Sequence, residues 1–343
     1  VIAMRTPLHL SPRLPRLAGR KGDDPARLAF TLIELLVVVV IITVLASLSL
    51  AGLAGARQRA KIDKTRSTIR KIDAIIRPMY DSYRTRRVLN SALAGVPTPN
   101  ASQCVHCYDG GSGARATMIA AWKKLVVKRR MIVEEMPDNW GDVYSSISDV
   151  PSDSTAAPRR YARIKQNLIS NVPRFTQTVP GQSSSYGNLY ANAEALNIVA
   201  LVGGFDYDAI ENFRADEMRD IDGDTAAEFV DGWGRPIMFI RWPAAFTSIL
   251  TDNSMPDPVD TSRTTADWAL TPLIFSAGPD EATNDPLGTD SGYGLNLQKT
   301  WLGSTLAASY ANVGSICSGN TQGSITSSTA FSDNITNHDL TKK

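Results

Sequence analysis

From Phe30 to Gly55 the chain reads FTLIELLVVVVIITVLASLSLAGLAG, with Glu34 as its single charged residue. An apolar run of this length crosses the ~30 Å hydrocarbon core of a bilayer as a helix. It is too long and too poor in polar residues for the core helix of a soluble domain, and longer than the apolar stretch of an ordinary secretory signal. Ala54-Gly55-Ala56 would serve as a signal-peptidase site, so a cleaved signal and a plain membrane anchor both stay open at this point. Glu34 bears on the choice. It stands at the fifth position of the run, counting Phe30 as the first. An unpaired carboxylate in hydrocarbon costs about 2.5 kcal/mol or more, and no Lys or Arg between Phe30 and Ala56 can pair it. If the chain is cut before Phe30, the new α-amino group supplies a positive charge at that depth. Geometry favours pairing between molecules, the amine of one subunit meeting Glu34 of a neighbour and setting the axial stagger of a helical filament. A protonated Glu34 near the interface is the plainer alternative.

Phe30-Thr31-Leu32-Ile33-Glu34-Leu35-Leu36 resembles the prepilin cleavage and methylation motif of type IV pilins and type II secretion pseudopilins. The resemblance implies that a membrane peptidase cuts between Ala29 and Phe30 and methylates the Phe30 amine, and that Phe30 and Glu34 then guide assembly. The family usually places Gly before the cut, and this chain has Ala29. Residues 1–29 would be the cleaved leader, carrying Arg13, Arg16, Arg20, Lys21 and Arg27, with a true start expected at Met4.

Past the run, Ile62, Ile69, Ile72, Ile76, Tyr80 and Tyr83 recur at helical spacing, opposite a face rich in Arg and Lys. Residues 30–55 therefore read as the transmembrane half, and 56–84 as the amphipathic half, of one stalk helix about 80 Å long. Pro78 should kink or end it nearby. The basic face could meet an acidic neighbour or anionic lipid headgroups, or simply be solvated, and it runs against the positive-inside rule if this side is exported. Residues 85–203 read as helical and loop insertions, with helices expected over about 114–136 and 187–202 and loops at Asp109–Gly113, 152–158 and 180–185.

Two acidic segments lie in the expected β region, residues 204–302. Asp220, Asp222 and Asp224 alternate, followed by Glu228 and Asp231, a spacing like that of an EF-hand loop, with Thr225 where the turn Gly is expected. The alternative is a solvated acidic turn. The segment Asp231-Gly-Trp233-Gly-Arg235-Pro236 enters an aromatic and β-branched strand, and a second strand follows at Leu273–Phe275. This segment and the later Ser276-Ala-Gly278-Pro-Asp280 are similar to the Trp-containing turn and calcium loop of major pseudopilins. That resemblance implies calcium held by Asp280 and Asp285, with Asn284 beside them, although Glu281-Ala282 replaces the family's glycines.

With 36 basic against 34 acidic residues in 343, net charge +2, the composition suggests neither a nucleic-acid binder nor an acidic disordered protein. His9, His106 and His338 are scattered, and no phosphate loop or nucleophile elbow is present. Cys104 and Cys107 could close a small bridge in an oxidising compartment; Cys104-Val-His106-Cys107 also resembles half a metal knuckle, without a second ligand pair. Residues 303–343 read as a polar tail with at most a short strand near 307–313.

The expected fold is α+β, a long transmembrane and stalk helix packed on a C-terminal antiparallel sheet with added helical insertions. The expected function is structural rather than enzymatic: a subunit of a type II secretion pseudopilus or related type IV pilus-like filament. Its expected partners are other pilin-like subunits, the prepilin peptidase, an inner-membrane assembly platform and membrane lipid, with no nucleic acid. The expected location is the inner membrane, single-pass, with a periplasmic head. The alternatives are a minor type IV pilin for motility or DNA uptake, and a membrane-anchored exported protein with an enzymatic or ligand-binding domain.

Overall fold

The computed structural model describes residues 31–138, 190–203, 210–221, 226–279, 295, 322–326 and 331–340, short gaps at 89, 102–103, 105–106, 109–110, 252–253, 255, 261 and 263–268 apart. The chain divides into two compact units, Val1–Ala54 and Gly55–Lys343. Helix α1, Leu32–Thr85, begins in the first and ends in the second.

In the first unit, the Val- and Ile-rich stretch of α1 would be a poor helix in water, because β-branched side chains lose χ1 freedom there. In a bilayer the backbone must satisfy itself, and the helix is the solution. The few hydroxyls follow the same logic. Thr43, Ser47 and Ser49 donate back to the carbonyls of Val40, Val44 and Leu45 at 2.8, 2.8 and 2.9 Å. The large apolar side chains from Leu32 to Leu53 are exposed, as expected of a surface made for lipid or for neighbouring helices rather than for a core.

In the second unit, α1 turns amphipathic. Ile69, Ile72, Ile76, Met79, Tyr80 and Tyr83 are buried, each such side chain contributing about 1.5–3 kcal/mol of burial. The helix does not stop at Pro78 but continues to Thr85. Pro78 and Ala74 both lie on the exposed side, so the Ala74 carbonyl that loses its helical donor can turn to water. Lys128 then donates to the carbonyl of Arg84 at 2.7 Å, covering the helix end.

A short α2, Asn90–Ala94, packs against α3, Ser112–Glu135. Trp122, Leu125, Val126, Met131 and Ile132 of α3 are buried in the same core cluster as α1, so this expected insertion supplies core rather than decoration. Tyr83 and Arg86 both donate to Glu135. Arg129, almost fully buried, pairs with Asp257 at 2.6 Å. Helix α4, Ala191–Gly203, packs on the strands β2 (Glu228–Phe229) and β3 (Met238–Ile240).

β2 pairs antiparallel with β1, Met218–Arg219. β3 pairs with β4, Leu273–Ser276, and β4 with β5, Ile335–Thr336, giving an antiparallel sheet of order β3-β4-β5. Alternation along the strands divides them between two cores. Phe239, Ile274 and Ile335 join the large cluster with α1 and α3, while Met238, Ile240, Leu273 and Phe275 join a smaller one with Phe246 and Leu295. A sheet covered on both faces explains why these strands read as unbroken apolar runs.

β5 lies inside the segment expected to be a polar tail, and the stretch 307–313 falls outside the described residues. At Asn337 and His338 the polarity of this segment is structural. Asn337 accepts from the Ile274 N–H at 2.9 Å and donates to Asp73 of α1 at 2.8 Å and to the Pro272 carbonyl at 3.0 Å. One amide thus ties the tail to β4 and to α1. His338 donates from Nε2 to the Pro272 carbonyl and accepts at Nδ1 from Ser248, and its burial lowers its pKa below the ordinary histidine value.

Candidate functional site

Ala29 and Phe30 lie outside the described residues. Glu34 stands in the first turn of α1, and Thr31 precedes the helix. The Glu34 Oε2 accepts from both the Thr31 backbone N–H, at 2.9 Å, and the Thr31 hydroxyl, at 2.8 Å, while the Glu34 N–H reaches Thr31 Oγ1 at 3.3 Å. This is a capping box, in which a Thr and the Glu three residues later satisfy the orphan donors of a helix start. The Thr-x-x-Glu spacing was visible in the sequence and supplies a partner for Glu34 inside its own chain. It does not exhaust the carboxylate. Both bonds fall on Oε2, and among the described residues Oε1 has no partner. One oxygen caps the helix, and the other can accept a further donor.

Where α1 enters the second unit, two of its cations are committed to the head. Lys64 pairs with Asp216 at 2.5 Å, which holds Asp216 below the usual carboxylate range. Lys71 pairs with Glu217 at 2.7 Å. Burial pushes the Glu217 carboxyl up, but the Arg214 N–H, Lys71 and Thr68 outweigh it and leave its pKa lowered.

The Asp231–Pro236 turn packs directly on α1. A Cβ at Gly232 would lie 2.3 Å from the Lys61 carbonyl oxygen and 2.7 Å from the Lys61 Cα, so only glycine permits this approach. The Gly232 N–H donates to Thr65 Oγ1 at 2.9 Å. Gly234 adopts φ +83°, which closes the turn. Asp231 organises it from beneath. Its Oδ1 accepts from the N–H groups of Trp233 and Arg235 at 2.8 and 2.9 Å, and its Oδ2 from the Ser276 hydroxyl at 2.7 Å. Arg235 donates to the Gly278 carbonyl at 3.0 Å. The Trp-containing turn and the Ser276–Gly278 segment, separated by some 40 residues of sequence, are therefore bonded side by side. Burial raises the Asp231 pKa despite its three donors.

Of the residues considered for calcium, Asp222, Asp224, Asp280, Asn284 and Asp285 lie outside the described residues, while Asp220 is exposed and Asp231 buried. Asp231 spends its carboxylate on protein donors. Among the described residues no group of three or more His, Cys, Asp or Glu side chains is placed to hold a metal ion. Cys104 and Cys107 are buried and joined in a disulfide with Cα atoms 5.3 Å apart, the pairing their spacing allowed. His106 lies outside the described residues.

Residues 25–50 match the family model of the prokaryotic N-terminal methylation motif. No curated protein and no solved structure matches the chain. α1 is long and apolar enough to cross a membrane. The matched motif and this helix together support a type IV pilin-like protein, processed by a prepilin peptidase, anchored in a membrane and assembled with other pilins.

Proposed function

We propose that this chain is a structural subunit of a type II secretion pseudopilus or a closely related type IV pilus-like filament, cut between Ala29 and Phe30 and held in the filament by the apolar half of α1. The observation that carries the reading is the Glu34 carboxylate, which caps its own helix through Oε2 and keeps Oε1 open at the membrane end of an exposed apolar helix. A charged acceptor in hydrocarbon needs a donor, and the freed Phe30 amine of a neighbouring subunit is a cation of the right kind and depth. The preference for a pseudopilus rests on sequence, where the order of the Asp231–Pro236 turn, a strand and the Ser276–Asp280 segment resembles that of major pseudopilins; in the fold the turn is bonded to Ser276 and Gly278. Calcium at Asp280, Asn284 and Asp285 belongs to the same proposal and rests on sequence.

The mature N-terminus tests the reading. Mass spectrometry on membranes of a host with the processing machinery should find a chain starting at N-methylated Phe30. A chain starting near Arg57, or left uncut, would overturn it and leave an exported or anchored protein of another kind.

A further inference from the structure

From Arg57 to Arg70 the sequence RQRAKIDKTRSTIR holds six cations and a single anion, Asp63. Lys64 is turned to the head and neutralised by Asp216. Arg57, Arg59, Lys61, Arg66 and Arg70 are exposed, and among the described residues none of them forms an ion pair. Arg57 and Lys61 are four apart, as are Arg66 and Arg70, so like charges face each other along the helix. An anionic partner would relieve that repulsion. We infer that Arg57, Arg59 and Lys61 form a collar that binds anionic phospholipid headgroups in the leaflet on the head side of the membrane.

Position along α1 selects these three. A bilayer core of ~30 Å centred on the apolar run ends near Leu53, and the headgroup layer adds about 5–7 Å. At about 1.5 Å per residue, the Cα atoms of Arg57, Arg59 and Lys61 lie about 6, 9 and 12 Å beyond the core. Helical side chains lean toward the helix N-terminus, which here is the membrane side. With a reach of about 6 Å, all three cationic heads enter the headgroup layer. Arg66 ends up about a Debye length outside it, and Arg70 further still. A collar on the head side also runs against the positive-inside rule, so topology alone gives these cations no role there.

The inference rests on α1 crossing a bilayer, and does not depend on cleavage or filament assembly. The test uses the full chain reconstituted as monomers in nanodiscs of equal phosphatidylcholine and phosphatidylglycerol, with lipid selectivity read by electron spin resonance of spin-labelled lipids. Phosphatidylglycerol should be enriched around the protein at low salt and lose its advantage at high salt. In the triple variant R57Q/R59Q/K61Q the preference should fall by up to about fivefold per cation removed, while R66Q/R70Q should change it little. Circular dichroism should show both variants folded. No preference in the unmodified chain, or a preference that falls no further in the triple variant than in R66Q/R70Q, would overturn the inference. A lipid-neutral triple variant that fails only in filament formation would assign the collar to the acidic face of another subunit and equally overturn it. Mass spectrometry of the same sample reports the N-terminus, so failure of the collar and failure of the filament reading are separable.

Discussion

Gly232 and Asp231 show how much of this head hangs on single residues. The head meets α1 through the backbone of Gly232, where a methyl group would lie 2.3 Å from the Lys61 carbonyl oxygen. That neighbour is helix backbone and cannot give way as a side chain could. Gly232→Ala should therefore destabilise the head by about 1–3 kcal/mol, seen as a lower urea midpoint for the full chain in detergent. An unchanged midpoint would mean the turn does not rest on α1. Asp231 makes a prediction of the opposite sign. Its folded pKa is raised by burial, so its contribution is fully present below the unfolded value near 3.9 and is lost as pH rises through the folded value. Asparagine can accept the same two N–H bonds and donate to Ser276. In Asp231→Asn, stability relative to the unmodified protein should improve as pH rises from about 4 to 7. If the unmodified protein instead gains over the variant across that range, the ionised carboxylate is being stabilised by a cation.

At the scale of elements, the sequence is legible where one physical pattern dominates. The α1 stripe, the helix now bounded at Ser112–Glu135 and the strands at Met238–Ile240 and Leu273–Ser276 all follow from apolar periodicity and its limits. Two features were not legible for identifiable reasons. Pro78 is compatible with a continuing helix because its turn faces outward, and exposure is a tertiary fact. β5 is only two residues long, in a segment rich in Ser, Thr and Asn, and it is held by Asn337 bonding to β4 and α1 rather than by its own pattern. The candidate site divides in the same way. Glu34 stood out as a charge in an apolar run, whereas its capping by Thr31 required noticing a spacing of three. That cap can be tested at the element it governs. Thr31→Val removes the hydroxyl from the box and should cost the first turn of α1 about 1 kcal/mol. Faster amide exchange confined to the residues just after Leu32 is the expected signature; unchanged exchange there would mean that the membrane alone fixes the helix start.

For the whole molecule, the division at Ala54 and Gly55 separates two kinds of stability. The apolar side chains from Leu32 to Leu53 are exposed and belong to neither core cluster. They depend on lipid or on other subunits. The head is closed by its own residues: its large cluster begins on α1 at Ile62 and Ile69, gathers α3 and α4, and takes one face of the sheet, while Asn337 and the Cys104–Cys107 bridge fasten later segments. A filament subunit built this way carries its assembly energy and its folding energy on different stretches of one helix. A chain beginning at Gly55 should accordingly be soluble without detergent and monomeric by sedimentation. Its urea unfolding should be a single cooperative transition with a midpoint close to that of the full chain in detergent, because the described apolar residues it lacks, Leu32 to Leu53, belong to neither core cluster. Fraying of α1 before Ile62 is expected, since those first turns lose their helical continuation and have little apolar surface to hold them. Aggregation of this chain, or a broad transition with loss of near-ultraviolet circular dichroism, would show instead that the apolar half of α1 is needed to complete the head.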